Sequence, residues 1–201
     1  MPRIFMLRHG NTFDRGDIVR RVGGRTDLPL SPSGREQLFG LTRALKARNA
    51  QFTTIFSSPL KRTLETAEYV RDAICPMATI DRVEALKEID YGPDENCSEE
   101  MVITRIGRAA IDRWDQEAIP PEGWRVDTRA LIIGWRKIFK DASNLPGDVL
   151  IVTSNGVARF ALNAADRVEA GLGRKLRTAA FGVAEVTSDG HTSILEWNVR
   201  S

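Results

Sequence analysis

Side chains suited to handling phosphate occur where two short apolar runs end. Arg8 and His9 follow the run Ile4–Leu7, and Arg62 comes shortly after the run Phe52–Phe56. A neutral imidazole is a nucleophile, and it becomes a covalent catalyst when its surroundings hold it in that form. The planar guanidinium group matches phosphate oxygens and keeps its charge at every ordinary pH. The combination predicts chemistry at a phosphoryl group.

Each of these residues also has an ordinary structural explanation. A single histidine at the end of a strand is more often a hydrogen-bonding residue than a nucleophile. Arg62 alone is compatible with a solvated helix position, and Glu88 alone with a surface charge. Only two histidines occur, His9 and His191, and the second lies beside the turn residue Gly190, where a surface position is expected. The order and surroundings of these residues therefore decide between the two explanations.

Apolar runs and helical stretches alternate along the sequence, and they are the elements that must position Arg8, His9 and Arg62. Leucines recur at helical spacing after Ser31, and Ser58 with Pro59 is typical of a helix start. The predicted helices cover 31–49, 58–74, 99–118 and 126–142, with another beginning after Asn155 and Gly156. The predicted strands are Ile4–Leu7, Phe52–Phe56, 78–81, Val149–Thr153 and a hairpin of Val183–Thr187 with Thr192–Trp197.

This alternation predicts one α/β domain over residues 1–201. We expect a three-layer sandwich, with a mainly parallel central sheet and helices on both faces. Ligands of such sheets bind beyond the carboxyl ends of the strands. Three of these ends carry polar residues, so they are expected along one edge: Arg8-His9-Gly10, Ser57-Ser58 and Ser154-Asn155-Gly156.

Three motifs, taken in order, resemble the histidine phosphatase superfamily, the phosphoglycerate-mutase-like group of phosphatases and mutases. They are Arg8-His9-Gly10, the stretch Gly24–Gly34, and Ser57–Ala67. Leu86–Gly92 resembles the acid-bearing loop of that superfamily, and Val149–Arg159 resembles its last core strand and turn. The resemblance covers essentially the whole chain.

The resemblance implies a set of roles. His9 would take the phosphoryl group, Arg8 and Arg62 would grip its oxygens, and Glu88 would protonate the leaving oxygen. Two nearby guanidinium groups favour a neutral, nucleophilic imidazole. No metal or cofactor is implied, and the substrate would be a small phosphorylated compound or a phosphoprotein. The candidate substrate-binding residues are Asn11, Thr12, Arg15, Gly24 and Asn155.

One departure from the superfamily pattern affects the chemistry directly. Ser154 stands where the superfamily normally has a second histidine, which is followed there by glycine. A serine hydroxyl donates a hydrogen bond but brings no charge, and loss of one preorganised donor costs about 3–4 kcal/mol of transition-state stabilisation. Three hypotheses stay open: a phosphomonoesterase with Ser154 in the catalytic set, a weakened or inactive relative that binds phosphorylated ligands, and a phosphomutase.

Two smaller departures concern the surroundings of the site. Arg15 stands where mutase-like members often have asparagine, which favours an added anion contact. Trp124 follows a Pro-Pro-Glu-Gly turn where a Gly-Glu-Ser-like turn is common in the superfamily. That glutamate usually lies near the catalytic groups, so the change predicts either a rebuilt local network or a tryptophan that fills core space. Arginines also crowd the loop 15–25, which predicts either a solvated surface or a rim that attracts anionic substrates.

Composition excludes several other classes. The chain has 201 residues, 29 basic and 27 acidic, for a net charge of +2, so neither nucleic acid nor a membrane surface is an expected partner. The sequence contains no P-loop motif, no serine-nucleophile elbow and no apolar run long enough to span a membrane. Cys75 and Cys97 have no metal or redox spacing, which favours free thiols in the cytoplasm. The oligomeric state does not follow from the sequence.

Overall fold

Strands and helices alternate along the chain, and the computed structural model describes residues 3–200. Short 3₁₀ turns cover Glu84–Leu86 and Gly92–Asp94. The strands are β1 Arg3–Arg8, β2 Phe52–Ser57, β3 Thr79–Arg82, β4 Asp148–Thr153, β5 Arg167–Val168, β6 Phe181–Val186 and β7 Thr192–Val199. The helices are α1 Pro32–Ala47, α2 Lys61–Ile74, α3 Glu99–Ile106, α4 Arg108–Glu117, α5 Thr128–Ser143, α6 Asn155–Ala158 and α7 Ala161–Ala164.

The strands form a seven-stranded sheet in the order β3-β2-β4-β1-β6-β7-β5. Strands β1 to β4 are mutually parallel, β5 is parallel to β7, and β6 pairs antiparallel with both β1 and β7. The predicted α/β architecture with a mainly parallel sheet is confirmed, as is the C-terminal hairpin. The parallel arrangement brings the carboxyl ends of β1, β2 and β4 to the same edge.

Both faces of the sheet are buried, which explains why the central strands read as continuous apolar runs. In β1, Ile4 and Met6 face one core while Phe5 and Leu7 face the other. The first core is closed by α4, α5 and α6, and the second by α1 and α2. The helices on both faces give the expected three layers.

Three predicted helices differ from the structure in their bounds. The helix predicted over 99–118 is two helices, because Gly107 has φ +81°, a conformation that interrupts a helix and that glycine adopts at little cost. The prediction of Ser58 as an N-cap is wrong: its backbone N–H continues the pairing with β4 by bonding the Val152 carbonyl at 3.0 Å. The helix therefore begins at Lys61. The helix predicted after Asn155 and Gly156 is the two short helices α6 and α7.

The turn after His9 is held against the start of α1. Ser31 caps that helix: its hydroxyl accepts the Gly34 N–H at 3.1 Å, and its own N–H bonds the Asn11 carbonyl at 2.9 Å. A Cβ on Gly10 would lie 2.5 Å from the Gly34 carbonyl oxygen, so the two backbones touch only because glycine is present. This contact places the loop that follows His9.

No helix in residues 3–200 is long and apolar enough to cross a membrane.

Candidate active site

A cleft of about 540 Å³ opens at the edge where β1 and β4 end. Cationic, aromatic and amide side chains dominate its wall, whereas a larger groove at the β6–β7 turn contains none of the predicted site residues. The cleft is lined by Arg8, His9, Asn11, Thr12, Phe13, Val19, Arg20, Arg21, Val22, Glu88, Tyr91, Glu99, Trp114, Asp115, Asn155, Arg159, Lys175 and Thr178.

The imidazole of His9 is held by contacts at both ring nitrogens. Its Nδ1 lies 2.7 Å from the carbonyl oxygen of Gly10, and its Nε2 lies 3.2 Å from Nε of Arg62. A carbonyl only accepts a hydrogen bond and a guanidinium only donates, so the proton belongs on Nδ1 and the lone pair on Nε2. The arrangement selects the tautomer in which Nε2 is the nucleophilic atom.

Electrostatics keep this ring neutral. His9 is only 5% exposed, and burial lowers its pKa well below the ordinary 6.5. The positive charges of Arg62 and Arg8 lower the pKa further, in that order, against a smaller opposing effect of the Gly10 hydrogen bond. Since only the neutral ring carries a lone pair on Nε2, these effects favour the form that can act as a nucleophile.

We expect the His9 imidazole to stay unprotonated as pH falls through about 6.5, the ordinary histidine pKa. The sign of the stability effect follows: the unfolded chain gains a proton at His9 below that pH and the folded chain does not, so the free energy of unfolding decreases as pH falls. An NMR titration of the ring nitrogens measures this directly, with His9→Ala identifying the signal. A His9 midpoint at or above 6.5 would contradict the electrostatic account.

Arg62 lies behind His9 and has a fully buried side chain near the start of α2. Besides its bond to His9, its Nη1 donates to the Thr26 carbonyl at 2.9 Å. Its Nη2 donates to the carbonyls of Val22 and Gly23, both at 3.3 Å. Arg62 is not among the residues that line the cleft. In this geometry it orients the imidazole and fixes the loop 22–26.

Arg8 faces the cleft from the end of β1. Its Nη1 donates to the Leu176 carbonyl at 2.9 Å, and among residues 3–200 its buried Nε has no hydrogen-bond partner. The backbone N–H of Ala179 bonds the carbonyls of both Arg8 and His9, at 3.1 and 3.2 Å. The loop before β6 therefore clamps the end of β1, and Nη2 of Arg8, which bonds no other described residue, is left for an anion.

Glu88 enters the cleft from the loop after β3. Its Oε1 accepts its neighbour's N–H, from Ile89, at 3.0 Å, and its Oε2 accepts the Gly156 N–H at 3.1 Å. A Cβ on Gly156 would lie 2.4 Å from Oε1, and a Cβ on Gly24 would lie 2.4 Å from the Glu88 carbonyl oxygen. Gly24 thus packs against the backbone of the acid-bearing loop, and Gly156 leaves room for the carboxyl group.

The residues after β4 divide between the protein interior and the cleft. Ser154 is 1% exposed, and its hydroxyl has no hydrogen-bond partner within residues 3–200. It is not a lining residue, whereas Asn155 is. The Asn155 Oδ1 accepts the Leu176 N–H at 2.9 Å. Ser154 therefore occupies the expected place along the chain without presenting its hydroxyl to the cleft.

The remaining predicted binding residues are distributed unevenly. Asn11 and Thr12 line the cleft, and the Asn11 Oδ1 accepts the Thr178 hydroxyl at 2.6 Å. Arg15 is exposed and lies outside the lining. Arg20 and Arg21, from the same arginine-rich loop, do line the cleft.

Sequence reasoning missed two buried residues of the wall. Tyr91 is 8% exposed, and burial followed by the negative charge of Glu88 raises the pKa of its hydroxyl, which stays a neutral hydrogen-bond donor. Arg159 is 1% exposed, stacks with its guanidinium carbon 3.9 Å from the Trp114 ring centre, and bonds the Trp114 carbonyl. Both lie within motifs already recognised, three residues after Glu88 and five after Ser154.

Trp124 fills core space, as one of the two interpretations of its position predicts. It is 7% exposed and packs edge-on against Tyr91 with ring centres 4.7 Å apart. Its Nε1 donates to Asp94 at 2.6 Å, and Arg105 forms an ion pair with the same carboxylate. This packing supports the aromatic wall of the cleft from behind.

A curated relative matches part of the chain. A probable phosphoglycerate mutase GpmB from Salmonella choleraesuis (strain SC-B67) is 32% identical over 125 residues, which is 62% of this chain and 48% of that protein. The chain thus matches about half the length of this relative.

Solved structures share the fold over the whole chain. A mycobacterial glucosyl-3-phosphoglycerate phosphatase has a TM-score of 0.79 at 18% identity, with all of both chains covered. A phosphoserine phosphatase from Entamoeba histolytica, in complex with 3-phosphoglyceric acid, has a TM-score of 0.73 at 19% identity, covering 99% of this chain and 98% of the other. The sequence model of the histidine phosphatase superfamily (branch 1) matches residues 4–200, and the chain belongs to that superfamily.

Proposed function

We propose that this protein is a phosphomonoesterase that works through a phosphohistidine on His9. The observation that carries the proposal is the His9 ring, buried in a cationic cleft with Nε2 as its unprotonated nitrogen. For attack, the Nε2 lone pair must leave the N–H of Arg62 that it accepts in the resting site; an N–P bond then forms as the ester P–O bond breaks. Splitting the displacement into two steps lowers the barrier of each.

Glu88 is the proposed proton carrier in both steps. As an acid it gives its proton to the leaving oxygen, and as a carboxylate it then takes one from the water that attacks the phosphohistidine. Free phosphate and the starting form of the enzyme result. Arg8 contacts the transferring phosphoryl oxygens, and Arg62 holds the ring that attacks. All the groups that act in these two steps are protein side chains, so the proposed route uses no metal or cofactor.

The cleft favours a small substrate with a second anionic group beyond the phosphate. Arg21 is paired with Glu99 at 2.7 Å, but Lys175 is exposed and forms no hydrogen bond or ion pair with another described residue. Arg20 bonds only the Asn96 carbonyl among residues 3–200. These two cations are therefore available at the rim. The names of the phosphoglycerate mutase relative and of the structural neighbours are consistent with substrates of this kind.

A panel of phosphoesters tests the proposal. We expect phosphate release from native protein, with carboxylate-bearing esters such as phosphoserine and 3-phosphoglycerate ahead of p-nitrophenyl phosphate. Changing Arg20 and Lys175 together to Ala should raise KM for the carboxylate-bearing esters by about tenfold, since each 1.4 kcal/mol of lost binding is tenfold. The KM for p-nitrophenyl phosphate should change little. No phosphate release from any ester would contradict the proposal.

Two alternatives stay testable within the same panel. Loss of the second histidine favours a binding protein without turnover, which would bind phosphate yet release none from esters. The relatives named as phosphoglycerate mutases favour a mutase. Interconversion of 2- and 3-phosphoglycerate with a bisphosphoglycerate primer, faster than hydrolysis, would establish that activity instead. We place the reaction in the cytoplasm as part of the proposal, on the composition and the free thiols of Cys75 and Cys97.

A further inference from the structure

The missing second imidazole leaves the phosphoryl site short of a hydrogen-bond donor. Ser154 does not supply it in this geometry, because its hydroxyl has less than 1 Å² of accessible surface and the residue does not line the cleft. Serine is also much shorter than histidine, so the hydroxyl cannot reach where an imidazole would.

The neighbouring Asn155 lines the cleft and has its amide orientation fixed. Its hydrogen-bond partner is the Leu176 backbone N–H at 2.9 Å, which is a donor only, so the oxygen of the amide must face it. The other end of the amide is therefore Nδ2, with two N–H groups. No residue from 3 to 200 accepts a hydrogen bond from Nδ2.

One residue, Leu176, ties this amide to Arg8, the proposed phosphate-binding arginine. Leu176 gives its N–H to Asn155, while its carbonyl accepts from Nη1 of Arg8 at 2.9 Å. Leu176 itself is fully buried. Two donor groups of the cleft, one from β1 and one from the end of β4, are thus held on opposite sides of one buried residue.

We infer that the Asn155 amide Nδ2 donates to the transferring phosphoryl group, in the role that the superfamily gives to its second imidazole. The role has moved one residue along the chain, from position 154 to position 155. The inference rests on the proposed phosphoryl transfer at His9. It explains why a larger amide side chain follows Ser154, where the superfamily pattern has glycine after its histidine.

Binding of inorganic vanadate and inorganic phosphate by calorimetry tests the inference without requiring turnover. Vanadate adopts the five-coordinate geometry of the transition state, and phosphate does not. Asn155→Ala should weaken vanadate binding by about 10²-fold while phosphate binding falls much less, because a transition-state donor contributes mainly to the charged, five-coordinate species. The loss should exceed that of Ser154→Ala. Asn144→Ala, an exposed asparagine at the end of α5, is the matched control and should bind both anions as the native chain does.

A rescue experiment separates donation from simple support of Leu176. In an Asn155→Gly background the added change Ser154→His should restore vanadate affinity, since an imidazole supplies a donor without remaking the Leu176 bond. Failure of that rescue, or equal losses of vanadate and phosphate binding in Asn155→Ala, would overturn the inference. A larger loss from Ser154→Ala would overturn it as well.

The results that would refute the proposed function differ from those that would refute the donor role of Asn155. Native protein that binds vanadate through Asn155 but releases no phosphate would refute the phosphomonoesterase and leave the donor role standing. Native protein that hydrolyses esters, with Asn155→Ala equally active and equally able to bind vanadate, would refute only the donor role.

Discussion

His9→Ala is expected to reduce phosphate release by at least about 10³-fold, because the variant lacks the atom that forms the covalent intermediate. The neighbouring cations remain, so binding of inorganic phosphate should persist. Within residues 3–200 the only other histidine is His191, which lies in the β6–β7 turn with a half-exposed side chain and cannot take over the reaction. Steady-state phosphate release on the preferred ester of the panel measures the effect.

His191→Ala is the matched control and should keep native turnover and native stability. His9→Ala removes a buried ring and the acceptor of Arg62 Nε, so at pH 8 it should be less stable than the native protein but still folded, which thermal unfolding measures. His9→Ala that still released phosphate at a rate within tenfold of native would show that another group is the nucleophile, whatever the fold.

Arg62→Ala is expected to lower kcat by about 10²-fold and the free energy of unfolding by about 2–4 kcal/mol. The catalytic loss follows because Nε of Arg62 holds Nε2 of His9, and its charge keeps the imidazole neutral. The stability loss follows because three backbone carbonyls of the loop 22–26 would lose buried or partly buried hydrogen bonds from Arg62. Both quantities are measured on one preparation, by initial rates and by denaturant unfolding.

A second variant separates the effect of the Arg62 charge from the effect of its planar guanidinium geometry, and a third is a control. Arg62→Lys keeps the charge but lacks the planar fork, so the His9 pKa should stay low while much of the stability and turnover is lost. Arg71→Ala, on the same helix but in a surface ion pair with Asp72, should change neither quantity by much. Native kcat in Arg62→Ala would refute a role for this residue in orienting the nucleophile.

Much of the fold follows from the sequence because its central strands are buried on both faces. The uninterrupted runs around Leu7 and Ile151 predict strands of a parallel sheet, and their abrupt polar ends place His9 and Ser154 at the ligand-binding edge. The break at Gly107 was not predicted, since an isolated glycine inside a helical pattern is often tolerated. Its positive φ depends on how α3 and α4 pack.

The site was less predictable than the fold, because exposure and side-chain direction depend on loops. Arg15 and Arg20 belong to one arginine-rich loop, and no spacing rule indicates that only the second lines the cleft. Arg62 was expected to grip phosphate, but carbonyls of the loop 22–26 accept hydrogen bonds from both of its terminal nitrogens. Tyr91 was missed because an aromatic residue in a loop is most often core.

Of the features of the site, the orientation of the Asn155 amide is the one that the sequence predicts least. Its amide is fixed by a backbone group 21 residues away along the chain, at Leu176. Only the fold brings the loop before β6 against the end of β4. The sequence predicts Asn155 as a substrate-binding residue, but it does not indicate which end of the Asn155 amide faces the cleft.

The most direct test of the account is to trap the phosphoenzyme. Native protein mixed with its preferred ester is quenched in base within one turnover and digested, and the peptides are examined by mass spectrometry. We predict one phosphoryl group on Nε2 of His9, stable in base and lost in acid, and none in His9→Ala. Turnover with no phosphohistidine at any time point, or a phosphoryl group on another side chain, would contradict it.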